Sequence, residues 1–198
     1  MVNENKEIYW KEFESKLRIA RNLLVAVKIK EIRDLTRSVR PFAKFRDEMG
    51  PVRRMMKNFM DEVYNLSLPL ILVFCVSSLE SFLRYMWLNK VGSIDKDTWR
   101  IFSNPKEFAK IIKRRFKVEI GDVTFKANAV AMKRHLILHK DKIVDSKALR
   151  AFREAGMLDI DIGQKLKLTS KIVEKDISII QEFAEKVKEI FENEISPR

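Results

Sequence analysis

The stretch LSLPLILVFCVSSLESFLRYMWL, residues 66–88, decides the fold of this 198-residue chain. Its first half is apolar on nearly every side of a helix, which is typical of a helix at the centre of a bundle. Glu80 and Arg84 fall inside any window long enough to cross a membrane. We therefore predict a buried bundle helix and no membrane partner. Pro69 is expected to kink or break this helix, because proline removes one helical hydrogen bond.

The composition of the whole chain also favours helices. Glycine and proline number five each, which is too few for the many tight turns of a sandwich, a barrel or a many-turned α/β sheet. The apolar fraction of 46% is close to the globular average, so the chain can bury a core. A length of 198 residues fits one domain. The sequence predicts a single all-α domain over residues 1–198, a helical bundle with long first and last helices.

Helical periodicity continues on both sides of the central stretch. Apolar residues recur at helical spacing over residues 5–37, so one long amphipathic first helix is predicted. Residues 37–51 hold prolines and a glycine that interrupt the pattern, and they are predicted to form a basic loop or linker. The last helix is predicted over residues 171–194 and has an acidic surface. Residues 66–194 form the best-supported core of the predicted bundle.

The segments between the long helices predict shorter elements. Asp122 or Thr124 is expected to cap the helix that contains both histidines of the chain, and Asp145 or Ser146 is expected to cap the next helix. Residues 157–168 alternate weakly between apolar and polar side chains. This alternation predicts a small β-hairpin or an extended arm near residues 157–168.

The charge of the chain indicates a polyanionic partner. Lysine and arginine outnumber aspartate and glutamate by 40 to 28, a formal net charge of +12, and nucleic acid is the simplest partner for such a surface. The basic residues of segment 28–57 form either a solvated face or an RNA-facing surface. The lone cysteine, Cys75, excludes an internal disulfide and a four-cysteine zinc site. With no targeting segment visible at the N-terminus, we expect a reducing, cytoplasmic location.

Both histidines of the chain lie in RHLILH, residues 134–139, and three interpretations compete. In the first they bind a metal, since His135 and His139 share a helix face. Against this, Leu136 stands where the metalloprotease pattern requires glutamate, and no Cys/His cluster completes a ligand set. In the second, one or both histidines are structural residues whose hydrogen bonds are satisfied within the fold. In the third they form a metal-free ribonuclease centre, in which histidine transfers protons near neutral pH and Arg134 binds phosphate.

Helix geometry constrains the ribonuclease interpretation. Arg134 and His139 are five residues apart, so on an ideal helix their side chains point about 140° away from each other. A straight helix cannot place both in one narrow pocket. Either the helix ends or distorts near His139, or the cleft is shared between two chains. A two-fold dimer would bring two copies of each residue together.

The sequence RHLILHKDKIVDSKAL, residues 134–149, resembles the HEPN superfamily (higher eukaryotes and prokaryotes nucleotide-binding). It is most similar to the HEPN ribonucleases of prokaryotic toxin–antitoxin and antiviral systems. The family signature is Arg-x4-His with a polar residue directly after the arginine. Upstream, SSLESFLRYMW, residues 77–87, is similar to the second core helix of the family, where an acidic residue often faces the motif. Glu80 matches that residue.

The resemblance implies a metal-independent endoribonuclease, a toxin or defence effector that cleaves RNA by attack of the 2′-hydroxyl. It implies no cofactor and no metal. It also implies a homodimer with the RNA cleft at its interface, and a cognate antitoxin as a partner. Arg134 and His139 are the implied catalytic pair, with His135 and Glu80 in supporting roles. We expect Glu80 to be buried within reach of Arg134, although Arg84, one turn later, is an alternative local partner.

Three lysines next to the motif, Lys133, Lys140 and Lys142, are predicted to contact RNA. One position departs from the family. Some HEPN toxins carry a tyrosine two positions after the histidine, which a partner nucleotidyltransferase modifies, but Asp141 occupies that position here. The family also includes members without activity. The alternative prediction is therefore a HEPN-like module that binds RNA, a nucleotide or a partner protein without cleaving it.

Overall fold

A computed structural model of the chain describes residues 2–37, 50–94 and 98–193. The described residues form six α-helices and one 3₁₀ helix, and they contain no strand. The elements in chain order are α1 (Val2–Arg37), α2 (Gly50–Val91), the 3₁₀ helix (Thr98–Ser103), α3 (Pro105–Phe116), α4 (Val123–His139), α5 (Ser146–Glu154) and α6 (Ser170–Asn193). The predicted all-α bundle is confirmed.

Helix α2 lies at the centre of the bundle, where it packs against α1, α4 and α6. Its side chains Leu72, Leu79 and Leu83 are fully buried. Phe82 of α2 stacks on Phe13 of α1 with the ring centroids 4.9 Å apart. Burial of large apolar side chains on several faces explains why the central stretch lacks the polar face of a surface helix. The predicted buried helix is confirmed.

Within α2, the segment Glu62–Val91 is long and apolar enough to cross a membrane when judged by length and composition alone. The mean hydropathy of its most apolar window is 2.0, and 61% of that window is buried inside the bundle. The core helix of a soluble protein can have the same length and composition, and burial explains part of this apolar sequence, although Leu66, Leu70 and Phe74 stay exposed. The predicted absence of a membrane partner stays a prediction.

Pro69 lies inside α2 and does not divide it, so the alternative of a break at this residue is wrong. The proline removes one backbone donor from the helix. Its neighbours Leu68 and Leu72 are buried in the core, and Pro69 is buried as well. Apolar packing around the proline offsets the missing hydrogen bond, so the chain continues as a helix.

The segment between α5 and α6 is an extended arm, residues 155–169, and the predicted hairpin is wrong. The arm pairs with the short stretch that follows α4. The backbone N–H of Val144 donates to the carbonyl oxygen of Gln164 at 3.0 Å, and the N–H of Leu166 donates to the carbonyl oxygen of Lys142 at 2.7 Å. A hairpin would require the arm to pair with itself. Here the arm forms its one antiparallel bridge with Ile143, which precedes α5, and within the arm a backbone hydrogen bond closes only the tight turn from Asp161 to Gln164.

The predicted loop or linker at residues 37–51 lies outside the described residues, apart from its ends. Most side chains of the basic segment 28–57 are also outside them. At the start of that segment, the ammonium of Lys28 donates to a carboxylate oxygen of Glu174 on α6 at 2.6 Å. An RNA-facing role for the basic segment stays a prediction.

Candidate functional site

The last turns of α4 carry the Arg-x4-His motif. This helix packs against α2, α3, α5 and α6, which holds the motif in place from several sides. The helix is regular up to His139 and ends there, because the backbone N–H groups of Lys140 and Lys142 both donate to the carbonyl oxygen of Leu136. Lys142 adopts the left-handed conformation with φ of 67°. The chain therefore turns away from the helix axis directly after His139.

Arg134 reaches back to α2. Its Nη1 donates to Oε1 of Glu80 at 2.7 Å, and the Glu80 residue is only 8% exposed. A carboxylate at that depth requires a charged partner, and Arg134 supplies it. The expectation that Glu80 is buried and pairs with Arg134 is confirmed. Arg84 does not take this role, because its guanidinium lies 3.8 Å from the centre of the Trp99 ring.

The two histidines contact each other at the end of α4, with ring centroids 5.1 Å apart. His135 is partly buried, and His139 is exposed. Burial lowers the pKa of His135 below its ordinary value of 6.5, because a desolvated imidazolium is less stable than the neutral ring. Electrostatic interactions with His139, Lys147 and Lys140 lower this pKa further. The Asp145 carboxylate opposes them.

In the structure, the four side chains of the predicted site form two pairs that do not contact each other through hydrogen bonds. Glu80 contacts Arg134, and His135 contacts His139. Among the described residues, no hydrogen bond connects Arg134 to either histidine. Since α4 is regular up to His139, the side chains of Arg134 and His139 diverge by about the 140° expected for an ideal helix. One chain therefore presents its arginine and its exposed imidazole on different faces of α4.

The lysines next to the motif differ in accessibility. Lys133 is 4% exposed, and its ammonium contacts both carboxylate oxygens of Asp176 at 2.8 and 2.9 Å. The predicted RNA contact is wrong for Lys133, because a buried and paired ammonium is not available to a phosphate. Lys140 is exposed and Lys142 is partly buried. RNA contacts by these two residues stay predictions.

Trp99, a residue of the 3₁₀ helix, is not among the site residues that the sequence predicts. Its side chain is 53% exposed, and the guanidinium of Arg84 covers one face of the indole. Aromatic rings beside cations are the usual platforms on which unpaired bases stack. The available signal was a tryptophan between two helices of a strongly basic chain. Nothing in the sequence placed that tryptophan beside Arg84.

Among the described residues, no three His, Cys, Asp or Glu side chains come close enough together to hold a metal ion. No protein-family model, no curated protein and no solved structure matches this chain. The side chains of α2 and α4 and the net charge of the chain are the features that bear on function.

Proposed function

We propose that this protein is a metal-independent endoribonuclease of the HEPN type, a toxin or defence effector that acts in the cytoplasm. The observation that carries the proposal is the buried Glu80 that holds Arg134 on a helix ending in two adjacent histidines. Cleavage of RNA without a metal requires a proton acceptor, a proton donor and a cation on the phosphate. Histidine and arginine are suited to these roles. The net charge of +12 supports a polyanionic substrate.

His139 is the proposed general base, because it is exposed and ends the helix. It takes the proton of the ribose 2′-hydroxyl, and the oxygen attacks the adjacent phosphorus. The bond from phosphorus to the 5′-oxygen of the next nucleotide breaks, and that oxygen receives a proton. The products are a 2′,3′-cyclic phosphate and a 5′-hydroxyl. His135, whose pKa is lowered by burial, shapes the pocket and shares in proton transfer.

Arg134 is the proposed phosphate-binding residue, and Glu80 positions it. The pair uses Nη1 of the guanidinium, which leaves Nη2 for a phosphate oxygen. The Arg134 side chain is 24% exposed, whereas that of Glu80 is 11% exposed. A substrate phosphate can therefore reach the arginine while the carboxylate stays inside the bundle. Because Glu80 already holds the guanidinium on one side, Arg134 loses less conformational entropy when it binds phosphate on the other side.

A second copy of the chain is the proposed means of completing the cleft. Within one chain Arg134 and His139 diverge, so the cation and the base would come from different protomers of a two-fold dimer. An apolar surface for such a partner is present on α2. Leu66, Leu70 and Phe74 are spaced by four residues and share one helix face, and they are 63%, 65% and 38% exposed. Exposed apolar stripes of this kind favour association.

The Trp99 ring is the proposed stacking platform for a base of the RNA. One face of the indole is covered by Arg84, and the exposure of the ring leaves room for a base on the other face. Arg84 follows Glu80 by one turn of α2, so the arginine that covers Trp99 lies on the same helix as the residue that positions Arg134. Base–aromatic stacking tolerates any base, which suits a nuclease that binds single-stranded RNA.

The proposal is tested by incubating the purified chain with single-stranded RNA in the presence of EDTA. We expect cleavage to continue and the products to end in 2′,3′-cyclic phosphate and 5′-hydroxyl groups. His139→Ala should lower the cleavage rate by about 10²–10⁴-fold, the usual contribution of a general base. Arg134→Ala should lower it by about 10²–10³-fold, because a cation is lost from the transition state.

Arg150→Ala is the matched control, since Arg150 is an exposed arginine on α5. This variant should cleave RNA at the wild-type rate. Circular dichroism checks that each variant is folded. Products with a 5′-phosphate and a 3′-hydroxyl would contradict the proposed mechanism. RNA binding without cleavage would favour the alternative of a non-catalytic HEPN-like module.

A further inference from the structure

A cavity of about 590 Å³ lies between α4, α6 and the extended arm. None of its lining residues is Arg134, His135 or His139, so it is separate from the proposed ribonuclease centre. Pockets for small molecules usually have volumes of roughly 300–1,000 Å³. The volume of this cavity therefore suits an organic ligand of moderate size.

The walls of the cavity are mainly apolar. The arm contributes Met157 and Ile160, α4 contributes Val130, and α6 contributes Ile172 and Ile179. Helices α4 and α6 are held in place by the bundle core. The arm is held by its backbone hydrogen bonds to the residues after α4. These walls favour a ligand whose body is apolar.

Charged residues at the cavity have a net positive charge. The exposed lysines are Lys126 on α4, Lys165 and Lys167 on the arm and Lys175 on α6. Opposing them are two exposed acids, Asp159 and Glu182. The lysines come from three separate elements that line the cavity. Such an excess of lysine attracts an anionic group to the entrance of the cavity.

Lys133 and Asp176 provide a polar spot within the apolar wall. Both residues line the cavity and both are buried. The two oxygens of Asp176 account for two of the three hydrogens on the Lys133 ammonium. No third acceptor contacts this ammonium among the described residues. The two charges compensate each other within the wall, so the anionic group of a ligand is left to the exposed lysines.

We propose that this cavity binds a small amphipathic anion, a molecule with an apolar body and one carboxylate, sulfonate or phosphate group. The apolar walls take the body, and the exposed lysines that line the cavity take the anionic group. This site does not depend on the ribonuclease proposal, because the two share no residue.

The test uses two dyes with the same aromatic body, the anionic 8-anilinonaphthalene-1-sulfonate and the neutral N-phenyl-1-naphthylamine. Fluorescence titration of the full chain should show saturable binding of the anionic dye and weaker binding of the neutral dye. Ala155→Trp places a large side chain in the cavity, which Ala155 lines, and should abolish saturable binding. Ala26→Trp on the exposed surface of α1 is the matched control and should bind the dye as the wild type does.

A second variant tests the role of the lysine charges without changing the apolar interior of the cavity. Reversal of two exposed lysines in Lys165→Glu/Lys175→Glu should weaken binding of the anionic dye by roughly tenfold and leave the neutral dye unaffected. Lys171→Glu, on the same helix but outside the cavity lining, should leave both affinities unchanged. Unchanged dye binding in Ala155→Trp, or equal loss of both dyes in the double lysine variant, would overturn the proposal.

Discussion

The buried ion pair of Lys133 and Asp176 connects α4 to α6 inside the protein. The two side chains are 5% and 3% exposed, and burial raises the pKa of Asp176 while the Lys133 ammonium opposes that effect. The position of Lys133 next to Arg134 predicts an RNA contact, which the structure does not allow. Adjacent residues on a helix point about 100° apart, so Arg134 faces α2 whereas Lys133 faces α6.

Loss of one partner of this pair should destabilise the fold strongly. Lys133→Ala leaves the Asp176 carboxylate buried without its cation, and we expect the free energy of unfolding to fall by about 3–5 kcal/mol. The double variant Lys133→Met/Asp176→Leu replaces both charges with apolar side chains and should recover most of that loss. Urea denaturation measures both values. A double variant as unstable as Lys133→Ala would show that the charge left unpaired is not the cause.

The lowered pKa of His135 predicts a dependence of stability on pH. The unfolded chain, with the ordinary pKa of 6.5, binds a proton more readily than the folded chain does. Protonation therefore favours unfolding, so the contribution of His135 to stability is present above about pH 6.5 and is lost as the pH falls through the folded-state pKa. The stability of the wild type relative to His135→Asn should decrease on acidification.

Urea denaturation of the wild type and of His135→Asn at several pH values between about 7.5 and 5 checks this prediction. The asparagine variant is the reference for every other group that titrates in this range. If the difference in unfolding free energy between the two proteins stays constant with pH, burial does not lower the pKa of His135.

At the scale of elements, two helices begin after an aspartate, but only one aspartate caps its helix. Asp145 has an extended backbone, and its side chain accepts a hydrogen bond from the N–H of Ala148 at 2.8 Å. Asp122 has helical backbone angles and makes no capping hydrogen bond with its side chain. The sequence named both aspartates as cap candidates. Backbone conformation, which depends on how each loop enters its helix, decides between them.

Asp145→Ala should lower the free energy of unfolding by about 1 kcal/mol, because the N–H of Ala148 loses its acceptor. Asp145→Asn, which keeps a side-chain oxygen, should retain most of the stability. Asp122→Ala is the matched control and should cost much less, since no capping bond is lost. Thermal or urea denaturation compares the three variants. Equal losses for the two alanine variants would contradict the assignment of the cap to Asp145.

At the scale of the whole molecule, the separation of Arg134 from His139 predicts complementation between chains. In a two-fold dimer with shared sites, each site uses the arginine of one protomer and the histidine of the other. A dimer of one Arg134→Ala chain and one His139→Ala chain then has one intact site and one site that lacks both residues. An equal mixture of the two variants should regain about a quarter of the wild-type activity, because half of its dimers are mixed.

The measurement is RNA cleavage by the two variants after joint refolding or co-expression, compared with each variant alone. A mixture of Arg134→Ala with itself in a differently tagged form is the control for refolding and should stay inactive. No recovery of activity in the mixed sample, with mixed dimers demonstrated by the tags, would show that each chain builds its own site.

The sequence by itself determined the helical class, the central position of α2 and the local pairing of His135 with His139. These features depend on composition, on hydrophobic period and on residues one turn apart, all of which are local properties of the chain. Tertiary structure alone decided that Glu80 bonds Arg134 rather than Arg84, that Lys133 is buried against Asp176, and that the arm pairs with residues after α4. Such contacts join residues far apart in the chain. They depend on how the helices rotate and pack against one another. Successive residues on a helix point about 100° apart, so neighbours in sequence contact different helices.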